Sequence, residues 1–272
     1  MNQIEINELV NISKKIRKDV VRMSYKACSS HLGSALSMID ILIVLYFKIL
    51  NITPENYKNR DRDKFILSKG HASSGLYAVL AQAGFIDRKI LDTYYEDGSH
   101  LIGHPKKDSL PGIEVSTGSL GHGLPLGCGL ALSDKNDRKL CKTVVLMGDG
   151  ECNEGSVWES AMFAASRNLN DLIVIVDNNR LQGLGTVDKI TGLYPLAEKW
   201  RAFNWSVEEI DGHNFEEIYK SLKQAYESKD KPTVIIAHTI KGKGVSFMED
   251  KLEWHYKSPN KEQYELAIKE LM

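Results

Sequence analysis

Several common sequence features are scarce or missing in the 272 residues, and each absence excludes a class of protein. Four cysteines (Cys28, Cys128, Cys141 and Cys152) form no C-x-x-C pair, so the sequence predicts neither a zinc site nor a disulfide framework and favours a reducing, cytoplasmic setting. The formal net charge of -1 provides no basic field for a polyanion. We therefore expect no nucleic-acid partner.

Long hydrophobic runs are also missing. The most apolar stretch, LSMIDILIVLYFKIL at residues 36–50, is short and contains Asp40 and Lys48, so it predicts a buried helix and no membrane association. The first ten residues, MNQIEINELV, have neither the basic nor the apolar region of a secretory signal. No repeat and no Pro/Gly/Ser-rich linker interrupts the chain, which predicts one domain over residues 1–272.

What the sequence does contain is an alternation of helical patterns with short β-branched runs. KTVVLMGDG is an apolar strand entering a turn, residues 156–168 have helical spacing, and DLIVIVDNN is the next buried strand. SVEEI from Ser206, a helix near 215–228 and TVIIAHT from Thr233 continue the alternation.

Strands without polar alternation are buried on both faces, which is typical of a parallel sheet covered by helices. The expected fold is therefore α/β: a doubly wound parallel sheet with helices on both faces, followed by a short C-terminal helical extension, KEQYELAIKELM. Ligands bind such sheets at the C-terminal ends of the strands, where Asp149, Asn178 and Asn179 fall.

The loop MGDGE, residues 147–151, is unusual because a carboxylate stands between two glycines. Glycine-rich loops that lead into a helix often bind phosphate, which Asp149 would repel. The loop also lacks the third glycine of G-x-G-x-x-G, since Asn153 occupies that position. A Mg²⁺ ion held by Asp149 and Asn179 would reconcile the carboxylate with a diphosphate. The alternative is a pair of ordinary Asp–Gly and Asn–Asn turns without an ion.

GDG, EG at residues 154–155 and NN at the end of the next strand resemble the thiamine diphosphate signature. Further stretches, in the same order as in the transketolase family, resemble that family: SSHLGSALS, LSKGHASSGLYAVL, GHP, STGSLGHGLPLGCGLAL, DGHN and IKGKGVSFME. The resemblance runs from about Lys14 to Pro259 and covers the N-terminal half of the family, the half that binds the diphosphate. It implies the thiamine diphosphate-binding fold.

The resemblance also implies roles for particular residues. Mg²⁺, or Ca²⁺ or Mn²⁺ as a substitute, would be held by Asp149, Asn179 and the backbone carbonyl of Leu181. The diphosphate would contact His71, Gly150, Asn179 and His255. The cofactor's rings would be lined by Gly118, Ser119 and Leu120. The sugar would face His31, His104 and His255, the implied catalytic residues.

Histidines suit the implied chemistry. The cofactor attacks a ketose, the ketose is cleaved, and its two-carbon piece passes to an aldehyde, so protons must move to and from sugar oxygens. Imidazole can donate and accept them near neutral pH. Among the remaining histidines, the role of His122 is left open, and a functional role is less expected for His213. His100 and His238 are expected to be structural.

Two stretches, TGSLGHG and GHPKKD, depart from the family pattern, and both departures concern the substrate rather than the cofactor. Ser119 stands where proline is common, and His122 stands where glutamine is common. GHPKKD also lacks the acidic residue that often follows this proline.

Two pairs of residues have competing interpretations. In the family, residues at the positions of Glu154 and Glu159 lie at a subunit interface, but Ser156 and Glu159 also match a capping box at a helix start. Gly127 and Gly129 within a helix indicate close approach of the cofactor or another helix, or simply a tightly packed interior helix.

In the family, the glutamate that protonates the aminopyrimidine and most residues that grip the sugar phosphate lie in a following domain. After WHYKSPN only one helical pattern remains. The chain is therefore predicted to be the N-terminal subunit of a split transketolase, a transferase of the pentose phosphate pathway that moves a two-carbon ketol unit from a ketose phosphate to an aldose phosphate. It would be active only with a separate chain carrying the pyrimidine-binding domain, and it would self-associate to give a heterotetramer.

Three alternatives remain open from the sequence. Two are corresponding subunits of other thiamine enzymes, a 2-oxo acid dehydrogenase or a deoxyxylulose phosphate synthase. The histidine set argues against the first, and STGSLGHG argues against the second. The third is a Mg²⁺-diphosphate binding module without catalysis, which would not need histidines that face a sugar.

Overall fold

The structure, a computed structural model, describes residues 1–272. Its sheet has five strands in the order β1-β2-β3-β5-β4, and every neighbouring pair is parallel. The strands are β1 (Lys64–Leu67), β2 (Thr143–Gly148), β3 (Leu172–Asn178), β4 (Ser206–Asp211) and β5 (Thr233–His238).

Ten α-helices accompany the sheet, and none is both long and apolar enough to cross a membrane. They are α1 (Gln3–Ala27), α2 (Leu32–Ser37), α3 (Ile39–Val44), α4 (Ser73–Gln82), α5 (Gly123–Asn136), α6 (Gly155–Ser166), α7 (Val187–Ile190), α8 (Leu196–Ala202), α9 (Phe215–Glu227) and α10 (Lys261–Glu270). Short 3₁₀ turns precede α4 and α6 at Gly70–Ala72 and Gly150–Asn153.

Side chains of the central strands pack alternately into two apolar layers. From β2, Val144 and Leu146 join the core beneath α1–α4, α9 and α10, whereas Val145 and Met147 join the core beneath α5, α6 and α8. Because each central strand is covered on both faces, its buried residues are apolar without alternation. The edge strand β4, SVEEID, is partly exposed. The predicted doubly wound α/β fold is confirmed.

Two expectations about individual elements need correction. The apolar run at residues 36–50 is buried but is not one helix: it comprises the end of α2, then α3, then a π-helical turn at Leu45–Ile49. The strand β1 was not predicted at all. It has only four residues and begins with a lysine, so no apolar run marks it.

The two glycines of α5 differ in their surroundings. A Cβ at Gly127 would lie 2.6 Å from Cγ2 of Val145 on β2, so this glycine lets the helix lie close to the sheet. A Cβ at Gly129 would meet nothing within 4 Å. The contacts of Gly127 are all with strand residues, and Gly129 has none, so the interior-packing interpretation holds for Gly127 only.

The start of α6 excludes the capping-box interpretation of Ser156 and Glu159. The helix begins at Gly155 with Glu154 at the N-cap, so Ser156 lies inside the helix. The Ser156 hydroxyl instead donates to the carbonyl of Gly121 at 2.8 Å and ties α6 to the start of α5. Both Glu154 and Glu159 are exposed.

The glycines of α5 lead to a paired stability prediction. Gly127→Ala should destabilise the chain by about 1–3 kcal/mol, because the new methyl group overpacks the contact with Val145. Gly129→Ala should instead stabilise it by up to about 1 kcal/mol, because alanine is the better helix former and the space is open. Thermal melting of the two variants checks both signs; equal shifts would contradict the packing argument.

Candidate functional site

A cavity of about 360 Å³ opens at the C-terminal ends of the central strands. Three of its lining residues lie just past the ends of strands: Asp149 directly follows β2, Asn179 directly follows β3, and Lys69 comes two residues after β1. Four histidines line the same cavity: His31, His71, His104 and His255. The structure therefore brings together metal-site, diphosphate-site and sugar-site residues predicted from widely separated parts of the sequence.

Three of these histidines form a compact group. The ring centroid of His31 lies 5.1 Å from that of His71 and 5.1 Å from that of His255, and the His71 and His255 centroids are 5.9 Å apart. The backbone N–H of His31 also donates to the carbonyl of His255 at 2.7 Å. His104 lies against Gly118, where a Cβ would be 3.4 Å from Cδ2 of His104.

Each ring of that group is oriented by a polar neighbour. Ser30 Oγ lies 2.9 Å from Nδ1 of His31, and Ser34 Oγ lies 3.0 Å from Nε2 of His71. Lys241 Nζ lies 2.8 Å from Nδ1 of His255. An ammonium group can only donate, so Nδ1 of a neutral His255 must accept, and Nε2 carries the proton.

The histidines are neutral in the free cavity. Burial, with His104 and Lys241 nearby, lowers the pKa of His31 to about 4. Burial, followed by the charge of Lys241, lowers the pKa of His255 to about 3. Burial and the Lys69 charge also lower the pKa of His71 well below its ordinary value. At pH 7 these rings are therefore hydrogen-bond donors and acceptors rather than resident cations.

Asp149 is buried at the bottom of the cavity with its charge poorly compensated. Its two carboxylate oxygens accept the backbone N–H groups of Gly150 at 2.6 Å and Arg180 at 2.5 Å. Burial, then repulsion by Asp177, raises the pKa of Asp149 to about 6. A bound cation would relieve both effects, so this carboxylate fits a metal ligand.

The other oxygens of the predicted metal site lie on the turn that follows β3. Oδ1 of Asn179 accepts the N–H of Leu181 at 3.1 Å, and the carbonyl of Leu181 accepts Lys241 Nζ at 2.8 Å. No group of three His, Cys, Asp or Glu side chains can hold a metal ion anywhere in the chain. One carboxylate with an amide and a carbonyl oxygen instead suits Mg²⁺, which keeps water or phosphate as its other ligands.

Two glycines beside the cavity, one after β2 and one after β3, lie in close contact with side chains. A Cβ at Gly150 would lie 2.8 Å from Cγ of Gln182, and a Cβ at Gly183 would clash with Oη of Tyr256. Nε2 of Gln182, which also lines the cavity, is buried without a hydrogen-bond partner. This unpaired donor fits an anionic oxygen better than an empty cavity.

Of the remaining predicted residues, some line the cavity and others lie outside it. Gly118 and Leu120 line it, whereas Ser119 is exposed and does not. His122 is exposed at the start of α5, with Nδ1 3.0 Å from the carbonyl of Leu120. His238 lies between Asn178 and Glu209 outside the cavity, in keeping with a structural role.

The sequence reasoning missed the buried charged groups around the cavity. Lys69 and Asp177 form a fully buried ion pair, and Ser37 and Thr239 also donate to Asp177. Lys241 is 1% exposed. A signal was present: Asp177 directly follows the apolar run LIVIV, and both lysines stand within the family-like stretches SKGH and IKGKG.

Glu151 is a further buried carboxylate that was not predicted. It accepts the hydroxyl of Ser68, the N–H of Gly121 at 2.8 Å and the N–H of Gly148 at 3.2 Å. Burial outweighs these bonds and raises its pKa. Glu151 therefore holds the loop after β2 against the start of α5.

The neutral histidines give a pH prediction. In the free chain, the ring signals of His31 should titrate near pH 4 and those of His255 near pH 3. An unfolded histidine takes up its proton near pH 6.5, whereas these rings stay neutral until a much lower pH. The fold should therefore lose stability as the pH falls from about 6.5 towards 3. NMR titration with single His→Gln variants for assignment measures the values, and titration of either ring near pH 6.5 would contradict the burial argument.

Comparisons with known proteins agree with this arrangement. The family model described as "Transketolase, thiamine diphosphate binding domain" matches residues 7–270. One of the subunits of the apulose-4-phosphate transketolase of Phocaeicola vulgatus is 45% identical over 99% of this chain and 95% of its own length. The SqwG subunit of the 6-deoxy-6-sulfo-D-fructose transketolase of a Clostridium species is 39% identical, over 99% and 97%.

A solved structure shows the same fold. The transketolase of Campylobacter jejuni superposes with a TM-score of 0.89 at 31% identity. That match covers 100% of this chain but only 43% of the Campylobacter enzyme. The chain therefore belongs to the transketolase family of transferases and corresponds to its N-terminal, thiamine diphosphate-binding half, as the ordered motifs predicted.

Proposed function

We propose that this chain binds the Mg²⁺-diphosphate end of thiamine diphosphate and, with a second chain, transfers a two-carbon ketol unit from a ketose phosphate to an aldose phosphate. One observation carries the proposal: four histidines line the same cavity as Asp149 and Asn179. A cavity that served only to bind a diphosphate would not need so many neutral imidazoles beside its anion-binding end.

Oxygen ligands for the metal, and hydrogen-bond donors and a positive charge for the anion, would form the diphosphate end of the site. Asp149, Asn179 and the Leu181 carbonyl would hold Mg²⁺, with Ca²⁺ or Mn²⁺ as substitutes. His71, Gly150, Asn179 and His255 would contact the diphosphate. To this predicted set we add Lys241, whose ammonium lies 2.8 Å from the Leu181 carbonyl and so can face both metal ligand and anion.

The cofactor, when bound, supplies the carbon nucleophile that attacks the ketose carbonyl; the residues of this chain would handle the sugar. His255 offers an Nε2–H donor, because Lys241 occupies its Nδ1. His31 and His104 would exchange protons with the sugar hydroxyls, since a neutral imidazole can accept a proton and return it. Gly118 and Leu120, which line the cavity, would border the cofactor's rings, whereas the exposed Ser119 would lie beside them at the surface.

A separate C-terminal subunit would complete the site by supplying the pyrimidine-binding domain. The two apulose-4-phosphate relatives are almost fully covered by this chain, and their names describe each as one subunit of its enzyme, which implies a further chain. We propose that residues 1–272 act as one domain of the resulting enzyme.

The exposed face of α5 and α6 would form the assembly surface. Leu126, Met162 and Phe163 are apolar and 37–52% exposed, and the exposed carboxylate of Glu159 belongs to the same helix as the last two. Apolar surface of this kind is typical of an interface. We propose self-association through it, with two copies of each chain forming a heterotetramer.

The substrates would be anionic sugars. Two relatives are named for apulose-4-phosphate and 6-deoxy-6-sulfo-D-fructose, which carry a phosphate and a sulfonate. The activity would therefore belong to the pentose phosphate pathway or to related sugar breakdown. All four cysteines are free thiols, which suits a reducing cytoplasm.

Removal of the metal ligand tests the cofactor assignment. Asp149→Ala should abolish Mg²⁺-dependent thiamine diphosphate binding in calorimetry, because the anion loses the cation that joins it to the loop. The melting temperature of the free chain should not fall, since the removed carboxylate is buried and poorly compensated. Asp171→Ala, at the opposite end of the sheet, is the control. Wild-type affinity in Asp149→Ala would refute the metal site.

Removal of a sugar-facing histidine tests the catalytic assignment. His104→Ala should lower kcat on the assembled enzyme by about 10² or more, because it removes a proton-transfer group, while thiamine diphosphate affinity changes little. His100→Ala, an exposed histidine outside the cavity, should leave turnover unchanged. If the wild type, His104→Ala and His100→Ala all have the same kcat, His104 is not a catalytic residue.

The ketol-transfer assay that measures this kcat also tests whether a second subunit is needed. The purified chain with Mg²⁺ and thiamine diphosphate should be inactive alone and gain activity when the partner is added. Sustained transfer by the chain alone would contradict the split-enzyme proposal.

A further inference from the structure

The segment Ile240–Gly244 follows β5 and carries Lys241 into the cavity, although it belongs to no helix or strand. Lys241 Nζ reaches both the Leu181 carbonyl and Nδ1 of His255, each at 2.8 Å. The position of one ammonium group therefore affects a proposed metal ligand and a proposed catalytic histidine. Something outside the cavity must fix this irregular segment.

Three buried side chains hold the segment from behind, and we name them the Asp40 clamp: Arg17 of α1, Asp40 of α3 and His213 of the turn before α9. Arg17 donates both terminal nitrogens to the Asp40 carboxylate, at 2.9 and 2.7 Å. His213 Nδ1 lies 2.8 Å from the same carboxylate. The three side chains are only 5–11% exposed.

The clamp holds the backbone on both sides of Lys241. Nε of Arg17 donates to the carbonyl of Lys243 at 3.0 Å, and Nε2 of His213 accepts the N–H of Ile240 at 2.8 Å. Both anchoring side chains are in turn oriented by Asp40. None of the three lines the cavity, so the clamp acts on the site only through the segment.

The hydrogen bonds define the state of His213. The Ile240 N–H is a donor, so Nε2 must be unprotonated, and Nδ1 must carry the proton that it donates to Asp40. A phenyl ring is also planar but is larger and has no nitrogens, so it would lose both bonds. An amide side chain, with one donor and one acceptor, can replace them.

From these contacts we propose that the Asp40 clamp positions Lys241, and that Arg17, Asp40 and His213 thereby set the affinity of the cavity for the diphosphate. The proposal rests on the role given to Lys241 in the proposed function. These are positioning residues: a side chain that acts through Lys241 should have no effect on binding once the Lys241 ammonium is removed.

The experiment is a double-mutant cycle on the full chain, with Mg²⁺ and thiamine diphosphate binding measured by calorimetry. His213→Phe should weaken binding about tenfold, within the coupling range of contacting networks, whereas His213→Gln should keep most of the affinity. Lys241→Ala should also weaken binding, and adding His213→Phe to it should cause no further loss. Asp134→Asn, which breaks the buried pair with Lys64 at the other end of the sheet, should lower the melting temperature without changing affinity.

Each other result overturns the proposal in a distinguishable way. Unchanged affinity in His213→Phe, with weakened binding in Lys241→Ala, refutes the clamp and leaves the proposed function standing. A further loss from His213→Phe in the Lys241→Ala background shows that His213 does not act through Lys241. Unchanged affinity in Lys241→Ala refutes the role of Lys241 and the clamp with it. If His213→Phe does not fold, Arg17→Gln releases the Lys243 side of the segment and enters the same cycle.

Discussion

The buried ion pair of Lys69 and Asp177 is the interaction on which the site depends. Burial raises the pKa of Asp177, but the Lys69 charge and hydrogen bonds from Ser37 and Thr239 outweigh it and hold the pKa below its ordinary value. These partners come from the ends of β1 and β5 and from α2, while Asp177 lies on β3. One carboxylate therefore joins four elements directly beneath the cavity, and removal of either charge would leave the other buried and unpaired.

The same pair determines the electrostatics of the cavity. The Asp177 charge adds to burial in raising the pKa of Asp149, and the Lys69 charge adds to burial in lowering the pKa values of His71 and Lys241. The result is a carboxylate that favours a cation, neutral histidines, and a lysine whose pKa is about 8. These charges fit the metal and the anion of the proposed function.

Much of the architecture could be predicted from local sequence. The central residues of β2, β3 and β5 form apolar runs because both faces of the sheet are covered there, and that pattern needs no tertiary information. The strand β1 could not be found in this way, since its four residues owe their conformation to pairing with β2. The capping-box interpretation failed for a similar reason: the Ser156 hydroxyl bonds to Gly121, thirty-five residues earlier in the chain.

By itself the sequence determined the fold class, the family, and the positions of Asp149, Asn179 and the four cavity histidines, because short-range patterns and ordered motifs carry that information. Only the tertiary structure decided which charges surround them. Lys69 meets Asp177 across 108 positions of the chain, and His213 meets Asp40 across 173. Contacts between residues so distant arise from how helices and strands pack, and the pKa values of the site follow from those contacts because burial and neighbouring charge are properties of the folded chain.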